Sequence, residues 1–253
     1  MSDQASAELS IAIDAARAAG QLLRDNYETD LVVDEMKDHD IKLNLDVKSQ
    51  DLITEMILGR FPDHAIYGEE GLAGNQDSPN QWIVDPIDGT VNYYYGIPHF
   101  CVSIAMRAEE KLLVGVIYDP MMDELYAVGA EGPATRNGKP ISVSDRDEMK
   151  DAVMTIGFSK SKEALDAGLA RYKEIAHQIR KSRMMGSAAL AMAYISCGRL
   201  DAYIEEQISL WDIAAGQLLI ERAGGTVVLK DSASHADKMG IVASNGKLPL
   251  ENI

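Results

Sequence analysis

The stretch Gln81-Trp-Ile-Val-Asp85-Pro-Ile-Asp88-Gly-Thr90 places two carboxylates directly after an apolar run. The apolar run predicts a buried strand that ends at Asp85, and Pro86 disfavours helix there and presets a turn. Because the first and last Cα atoms of a four-residue turn lie within about 7 Å, Asp85 and Asp88 can face one point. Two bare carboxylates about 4 Å apart repel by about 4 kcal/mol at an effective dielectric of about 20, so this arrangement favours a bound cation.

Gly89 and Thr90 follow the two aspartates at once. A glycine lets the backbone approach a ligand closely, and free N–H groups at the start of a helical turn can hold an anion. A metal ion beside a phosphate group is therefore the functional interpretation of residues 85–90. The alternative is an ordinary Asp-Pro turn with Asp88-Gly89 as its second corner, which is common in loops.

A second acidic pair, Glu69-Glu70, follows Ala65-Ile-Tyr-Gly68, at the end of a short apolar strand. Adjacent glutamates usually mark a solvated loop. Only the loop 72–80 separates Glu69 from the strand that leads to Asp85, however. We therefore expect the two strands to be neighbours with their acidic ends together.

A third acidic candidate is Asp212, which follows Trp211 and opens a predicted helix that ends near Gly224-Gly225. A helix-capping aspartate explains this position without any ligand. The small residues at 214–216 predict a close-packed helix start, and an aspartate held rigidly there could also bind a cation. Both interpretations stay open on this segment alone.

The 253 residues carry 40 acidic and 24 basic side chains, which gives a formal net charge of −16. This charge repels a phosphate backbone over most of the surface, so it disfavours nucleic acid as the main ligand. No apolar stretch reaches the ~20 residues of a membrane helix, and the amino terminus has no signal-peptide pattern. We expect a cytoplasmic protein without a membrane span. Cys101 and Cys197 are expected to be unpaired thiols.

Helix and strand patterns come in blocks along the chain. Apolar residues at spacings of three and four predict helices at 9–27, 52–60, 165–179, 187–197 and 212–223. Alternating or continuous apolar runs predict strands at 41–45, 65–67, 82–84, 100–107, 112–118, 124–128, 152–156, 200–204, 226–229 and 240–243. Asp46 is predicted to end the first strand and to cap the next helix. No repeat or linker divides the chain, so a layered α+β unit is predicted.

The acidic segments together resemble the signature segments of the inositol monophosphatase family, within the lithium-sensitive, magnesium-dependent phosphatase superfamily. The resemblance is carried by Glu69-Glu70, by Asp85-Pro-Ile-Asp88-Gly-Thr90 with Asn92, and by Trp211-Asp212 with Ala223-Gly-Gly225. It extends over nearly the whole chain. It implies a layered αβαβα sandwich of the inositol monophosphatase and fructose-1,6-bisphosphatase type, usually as a homodimer. Residues 1–253 would form a single domain with two lobes, approximately 1–145 and 146–253.

The resemblance also implies a set of metal ligands. Glu69, Asp85 and the backbone carbonyl of Ile87 would hold one Mg²⁺, and Asp85, Asp88 and Asp212 would hold a second. Hard oxygen ligands suit Mg²⁺, which keeps several waters of its own. Two cations at this position would be expected to activate water and to stabilise the leaving oxygen.

Catalytic and phosphate-binding roles follow from the same resemblance. Glu69 and Thr90 would orient the attacking water for in-line attack on phosphorus, and Asp46 would hydrogen-bond Thr90 and accept its proton. Backbone N–H groups of Gly89 and Thr90 would bind the phosphate oxygens, so positioning and charge neutralisation would supply most of the catalysis.

Relatives contact sugar or inositol hydroxyls at positions that match the following residues here: Asp88, Gly186, Ser187, Ala188, Glu205 and Asp212. The chain also departs from the family pattern. Before Asp46 it has Ile41-Lys42-Leu43-Asn44 where a Val-Thr-like pair is usual, and Lys37 matches a basic loop residue only roughly. These departures put the affinity for a third, loosely held Mg²⁺ in doubt.

Two classes of function are compatible with this sequence. The first is a Mg²⁺-dependent phosphomonoesterase, inhibited by lithium, that acts on inositol monophosphate or a related sugar or polyol phosphate. Relatives with the same chemistry prefer fructose 1,6-bisphosphate, NADP, histidinol phosphate or a 3′-phosphoadenylate. The second is a non-catalytic regulatory or scaffold protein, because some bacterial members of the family are associated with transcription complexes. The complete set of acidic ligands favours the enzyme, with a small phosphate ester as its partner.

Overall fold

The computed structural model describes residues 2–37, 40–158, 162–231 and 238–250. Its α-helices are α1 (Ser2–Asp25), α2 (Asn44–Arg60), α3 (Thr90–Tyr94), α4 (Lys162–Ile175), α5 (Ala188–Ser196) and α6 (Leu210–Arg222), with a 3₁₀ turn at Met149–Asp151. The strands of the amino-terminal part are β1 (Val33–Lys37), β2 (Asp40–Leu43), β3 (Ala65–Gly68), β4 (Gly71–Gly74), β5 (Asn80–Asp88), β6 (Cys101–Ala108), β7 (Lys111–Asp119), β8 (Glu124–Val128), β9 (Thr135–Arg136) and β10 (Lys139–Pro140). Those of the remainder are β11 (Val153–Ile156), β12 (Lys181–Arg183), β13 (Ala202–Ile208), β14 (Thr226–Asp231) and β15 (Met239–Ser244).

Within these residues, the strands form an eight-stranded sheet, a five-stranded sheet and the β1-β2 pair. The larger sheet has the order β10-β9-β8-β7-β6-β5-β3-β4, and the smaller has the order β12-β11-β13-β15-β14. The larger sheet is antiparallel apart from β3, which runs parallel to β5. The smaller sheet has parallel pairs on both sides of β11.

Helices cover the sheets in three layers. Helices α1 and α2 bury Leu23 and Ile53 with Trp82 against one face of the larger sheet. Helices α5 and α6 fill the space between the sheets, where their apolar side chains share one core with both. Helix α4 packs Ile175 against Met154 on the outer face of the smaller sheet. The predicted αβαβα layering is therefore confirmed, and burial of these apolar faces is the main source of its stability.

The parallel pairing of β3 with β5 confirms a prediction that bears on the site. Gly68 lies opposite Val84, and the N–H of Glu69 donates to the carbonyl of Val84 at 3.0 Å. Both strands run in the same direction, so their carboxyl ends meet at one edge. Glu69 and Asp85 consequently emerge side by side.

The predicted turn after Asp85 is wrong, because β5 continues through Asp88. Asp85 pairs with Ser103 of β6 but Asp88 pairs with Cys101, so β5 has one extra residue over this interval. Side chains alternate between the faces of a strand, and residues three apart normally point to opposite faces. The bulge brings both aspartates to the same side, and it also accommodates Pro86 within the sheet.

The predicted capping roles of Asp46 and Asp212 need correction. Helix α2 begins at Asn44 and helix α6 at Leu210, so both aspartates lie at the third helical position. Each carboxylate accepts the backbone N–H of the residue just before its helix, at 2.6 Å from Leu43 and 3.0 Å from Ser209. They thus form the carboxylate half of a capping box.

Several elements were absent from the sequence prediction, including β1, β4, β9, β10, β12 and α3. The predicted first helix also extends too far, because α1 ends at Asp25. Cys101 and Cys197 are free thiols, as expected, although only Cys101 is fully buried. Lys37 ends β1, and its side chain lies outside the described residues. Within the described part of the chain, every helix is too short or too polar to span a bilayer.

Candidate active site

Three aspartates from two elements converge at the carboxyl end of β5. One carboxylate oxygen from each of Asp85, Asp88 and Asp212 lies within 4.8 Å of the other two. Asp85 and Asp88 are buried, at 1% and 6% exposure, and Asp212 is half-buried. The β5 bulge supplies the first two residues, and the first turn of α6 supplies the third.

Helix α5 holds the Asp88 carboxylate at its amino terminus. Oδ2 accepts the hydroxyl of Ser187 at 2.5 Å and the N–H of Ala189 at 2.7 Å, while Oδ1 accepts the N–H of Ala188 at 3.3 Å. Free N–H groups and the helix dipole stabilise negative charge there. Ser187 and Ala188, predicted to contact substrate, therefore bind Asp88 in this structure.

Close packing fixes the start of α6, as its small residues predicted. A Cβ atom on Gly216 would lie 2.5 Å from Cβ of Met192 on α5, and one on Gly115 of β7 would lie 2.8 Å from the carbonyl of Ala215. Ser103 of β6 donates to the carbonyl of Trp211 at 3.3 Å. Asp212 is thus attached to both the sheet and the neighbouring helix.

Mutual repulsion and burial raise the pKa values of the carboxyl groups in this cluster. Loss of hydration is the first cause in every case. It raises the pKa of Asp85 well above its ordinary value, with Glu69, Asp88 and Asp212 adding to the shift. The pKa of Asp88 rises only to about 7, because its hydrogen bonds to Ser187, Ala189 and Ala188 favour the charged form.

Glu69 belongs to the same electrostatic cluster. Glu69 is an exposed residue, although the surrounding protein removes much of the hydration of its carboxylate. Burial first, and then the charges of Asp212, Asp46 and Glu70, raise its pKa to about 8, and a hydrogen bond with Asp85 opposes the shift. The structure therefore brings the four predicted acidic metal ligands together.

Asp46 and Thr90 meet near Glu69. The Thr90 hydroxyl lies 3.5 Å from Asp46 Oδ1, at the outer limit of a hydrogen bond, and donates to the carbonyl of Ile87 at 2.9 Å. Burial raises the pKa of Asp46 to about 7 against the opposing hydrogen bond from Leu43. The predicted contact between Asp46 and Thr90 is present, and the Ile87 carbonyl faces the same group.

Gly89 occupies the left-handed region at φ 100° and precedes α3. A Cβ there would lie 3.1 Å from the carbonyl of His99 and 3.2 Å from that of Gly186. Glycine is therefore required on both conformational and steric grounds. The loop that contains Gly89 and Thr90 packs directly on the segment that contains Gly186.

Asn92 joins these two segments, a role that sequence reasoning missed. Its amide Nδ2 donates to the carbonyls of His99 at 2.8 Å and Met185 at 3.0 Å. The sequence marks Asn92 only as part of the signature segment, and its spacing from Thr90 contains no signal of the carbonyls that it binds.

The predicted substrate residue Glu205 lies on β13 beside Asp88 and Asp212. The Tyr203 hydroxyl donates to Glu205 Oε2, and a Cβ on Gly157 would overlap the same carboxylate. Burial, followed by the charges of Asp212 and Asp88, raises the pKa of Glu205 to about 7, while Tyr203 opposes the shift. A half-buried carboxylate with a fixed orientation can accept hydrogen bonds from substrate hydroxyl groups.

The donor set fits a hard divalent cation. Every candidate ligand atom is a carboxylate or carbonyl oxygen, and carboxyl groups that repel one another are stabilised when a cation binds between them. Asp85, Asp88 and Asp212 satisfy the separation that one shared ion requires. Glu69 hydrogen-bonds Asp85 of this cluster, and the Ile87 carbonyl accepts the Thr90 hydroxyl.

Known proteins with similar sequences carry two kinds of name. Nus factor SuhB from Pasteurella multocida (strain Pm70) is 41% identical over 224 residues, which are 87% of this chain and 84% of that protein. Inositol monophosphatase 3 from Solanum lycopersicum is 38% identical over 228 residues, again 87% of this chain and 84% of that protein.

A solved structure agrees in fold as well as sequence. Inositol monophosphatase from Anabaena (Nostoc) sp. PCC 7120 is 39% identical and superposes with a TM-score of 0.83, covering 96% of this chain and 92% of that one. The model of the inositol monophosphatase family matches residues 5–252. With the layered fold and the clustered acidic segments, this match places the chain in the inositol monophosphatase family.

Proposed function

We propose that the protein is a Mg²⁺-dependent phosphomonoesterase that hydrolyses inositol monophosphate or a related sugar or polyol phosphate. The observation that carries the proposal is the convergence of Asp85, Asp88 and Asp212 at the end of β5, with an oxygen of each within 4.8 Å of the others. Family membership supports a phosphatase, and the oxygen-only donor set supports Mg²⁺.

In this proposal, Glu69, Asp85 and the Ile87 carbonyl hold one Mg²⁺, and Asp85, Asp88 and Asp212 hold another. Divalent ions bound there would lower the pKa of water and neutralise negative charge on the phosphate and the leaving oxygen. The N-terminal groups of α5 hold Asp88 in place and favour its charged form. The capping bond from Ser209 fixes Asp212.

The protein's own groups position the reacting atoms. Backbone N–H groups of Gly89 and Thr90 bind the phosphate oxygens, and the Thr90 hydroxyl with Glu69 orients the attacking water. Asp46, beside that hydroxyl, accepts the proton of Thr90 as Thr90 accepts one from the attacking water. A pKa of about 7 is well matched to this role at neutral pH. Asn92 keeps the phosphate loop aligned with the segment at Gly186.

Substrate hydroxyl groups would bind on the side of the aspartate cluster where Glu205 lies. Glu205 accepts hydrogen bonds there, with Gly186, Ser187, Ala188, Asp88 and Asp212 completing the surface. A polyol fits this arrangement because a carboxylate can accept two neighbouring hydroxyls. Fructose 1,6-bisphosphate, NADP, histidinol phosphate and 3′-phosphoadenylate are the alternative substrates of the same chemistry.

We extend the proposal to the chain as a whole. Residues 1–253 act as a single domain with lobes of approximately 1–145 and 146–253, each built around one of the two larger sheets. The cytoplasm is the proposed location and a homodimer the proposed assembly.

The direct test is a panel of phosphate monoesters assayed with and without Mg²⁺, comparing kcat/KM. We expect Mg²⁺-dependent hydrolysis with a preference for inositol monophosphate or another polyol phosphate, and inhibition by millimolar Li⁺. Equal rates without Mg²⁺, or no hydrolysis of any ester, would reject the enzyme. Preference for a bisphosphate or nucleotide would retain the chemistry and change the substrate.

A role in transcription is the second candidate function. It is favoured by the 41% identity to a protein named Nus factor SuhB. The net charge of −16 favours a protein partner over direct RNA contact. Affinity purification of the tagged chain from its own host, with the Asp88→Asn variant alongside, tests this role. If both forms recover the same transcription proteins and the chain has no phosphatase activity, the role in transcription would replace the enzyme as the favoured function.

A further inference from the structure

A lysine ion pair borders the acidic cluster. The ammonium of Lys42, on β2, pairs with Oε2 of Glu70, the residue that directly follows Glu69. The Glu70 side chain is only 6% exposed, whereas that of Lys42 is 42% exposed. Lys42 also stands in the segment before Asp46 where the sequence departs from the family pattern.

Gln50 of α2 fixes the backbone that carries Glu70. Its Oε1 accepts the Glu70 N–H at 2.9 Å, and its Nε2 donates to the carbonyl of Gly71 at 3.2 Å. A Cβ on Gly68 would overlap the Gln50 amide, so the glycine provides the space for this contact. Glu70 is therefore held against α2, where Lys42 neutralises it.

The charge of Lys42 also acts on the neighbouring carboxylates. The pKa of Lys42 is raised, first by its bond to Glu70 and further by the charges of Asp46 and Glu69, against the effect of burial. Lys42 in turn helps to lower the pKa of Asp46. One fixed positive charge thus stands on the side of the cluster formed by Glu69 and Asp46.

We propose that Lys42 is a fixed cation that weakens the binding of divalent ions on the Glu69 side of the site, by occupying Glu70 and by repelling the ion. The inference rests on the proposed function only for the binding of a divalent cation. It predicts that this chain requires more Mg²⁺ for saturation than it would with a neutral residue at position 42. The positive charge opposes a second charge of the same sign, and its effect extends over several ångströms.

Calorimetric titration of the metal-free protein with Mg²⁺, without substrate, tests this inference. Lys42→Met retains the alkyl chain and removes the charge, so it should lower the Kd for Mg²⁺ by about threefold to tenfold. Lys48→Met is the matched control, because Lys48 is an exposed lysine on α2. The Kd of this variant for Mg²⁺ should equal that of the original chain.

Glu70→Gln supplies the opposite change. It leaves the charge of Lys42 uncompensated and should raise the Kd for Mg²⁺. In the double variant, which combines Lys42→Met with Glu70→Gln, the Kd should return close to that of the original chain. Circular dichroism and Tm of the metal-free variants establish that each one folds. An unchanged or higher Kd in folded Lys42→Met, or equal shifts in Lys42→Met and Lys48→Met, would overturn the inference.

The two proposals can fail separately. Calorimetry measures Mg²⁺ binding whether or not any ester is hydrolysed. A lower Kd in Lys42→Met without phosphatase activity supports the inference and rejects the enzyme. Normal phosphatase activity with an unchanged Kd rejects the inference alone. Absence of Mg²⁺ binding in the original chain rejects it as well.

Discussion

The starts of helices α2 and α6 have the same local geometry and different surroundings. Asp46 and Asp212 each lie at the third helical position and each accept a backbone N–H from just before the helix. Asp212 reaches the cluster with Asp85 and Asp88, whereas Asp46 faces the Thr90 hydroxyl. The two starts differ in the residue before the helix, Leu43 for α2 and Ser209 for α6, and in the elements packed against them.

This comparison shows that capping and site chemistry are compatible roles for one carboxylate. In both aspartates the bond from the backbone uses Oδ2. In Asp46 the other oxygen, Oδ1, lies toward Thr90. The cap restricts the side chain, so the orientation needed for function is already set before a ligand binds. A capping interpretation of an aspartate is therefore no argument against its having a second role.

The largest expected effect is that of Asp212→Asn. Asparagine can still accept the Ser209 N–H, but it removes a charged ligand, so kcat/KM for the preferred phosphate ester should fall by about a thousandfold. Steady-state assays over a range of Mg²⁺ concentrations measure the loss. Asp14→Asn, at an exposed position of α1, is the control. Activity within tenfold of the original would remove Asp212 from the proposed metal site.

Asp46→Asn should have a smaller effect on activity. It removes a proton acceptor beside Thr90 but no proposed metal ligand, so we expect kcat to fall by about a hundredfold. The Mg²⁺ Kd from calorimetry should change much less than in Asp212→Asn. Equal losses of Mg²⁺ affinity in the two variants would contradict the assignment of Asp212, and not Asp46, as a metal ligand.

The stability of the metal-free protein should fall as the pH rises from about 4 to about 7. The folded pKa values of Asp46 and Asp88 are about 7, above those of unfolded chains, so the folded state retains protons that the unfolded state has lost. The loss should reach about 4 kcal/mol for one such group, and it is nearly complete about one pH unit above 7.

Urea unfolding with EDTA at several pH values measures this dependence. Asp46→Asn should reduce the slope, because a neutral side chain removes one of the titrating groups. Added Mg²⁺ should reverse the trend, since the ion binds the charged carboxylates. A metal-free stability that increases over the same pH interval would contradict the raised pKa values.

The smallest expected effect isolates the caps themselves. Asp46→Ala and Asp212→Ala should each unfold with a free energy about 1 kcal/mol lower than the corresponding asparagine variant. Both replacements are neutral, so the difference reflects the lost acceptor rather than the lost charge. Urea unfolding at pH 7 with EDTA provides the values. A difference in one helix alone would mean that only that cap contributes to stability.

The elements with strong apolar patterns were predictable from the sequence. The strands β5 to β8 and helices α2, α5 and α6 bury their periodic side chains, so packing and pattern agree. Strand β4, Gly71–Gly74, is mostly exposed and consists of small residues and one leucine. Strand β4 forms because β3 offers an edge for pairing. The composition of residues 71–74 gives no indication of that edge.

The acidic residues of the site were also predictable, but their geometry was not. Strand direction was enough to predict that Glu69 and Asp85 are neighbours. The Asp-Pro pattern instead predicted a turn, because a proline inside a strand is rare outside a bulge. Pairing of β5 with β6 overrides that local preference. Contacts such as those of Asn92 join segments about ninety residues apart and depend on the complete fold.

The extra residue in β5 makes the length of this segment more critical than its composition. Removing either Pro86 or Ile87 would restore regular pairing with β6 and rotate Asp88 away from Asp85, with every acidic ligand still encoded. An added residue would have the same consequence. Substitutions that keep the buried packing of Ile87 can be tolerated here, whereas insertions and deletions between the two aspartates should be eliminated by selection.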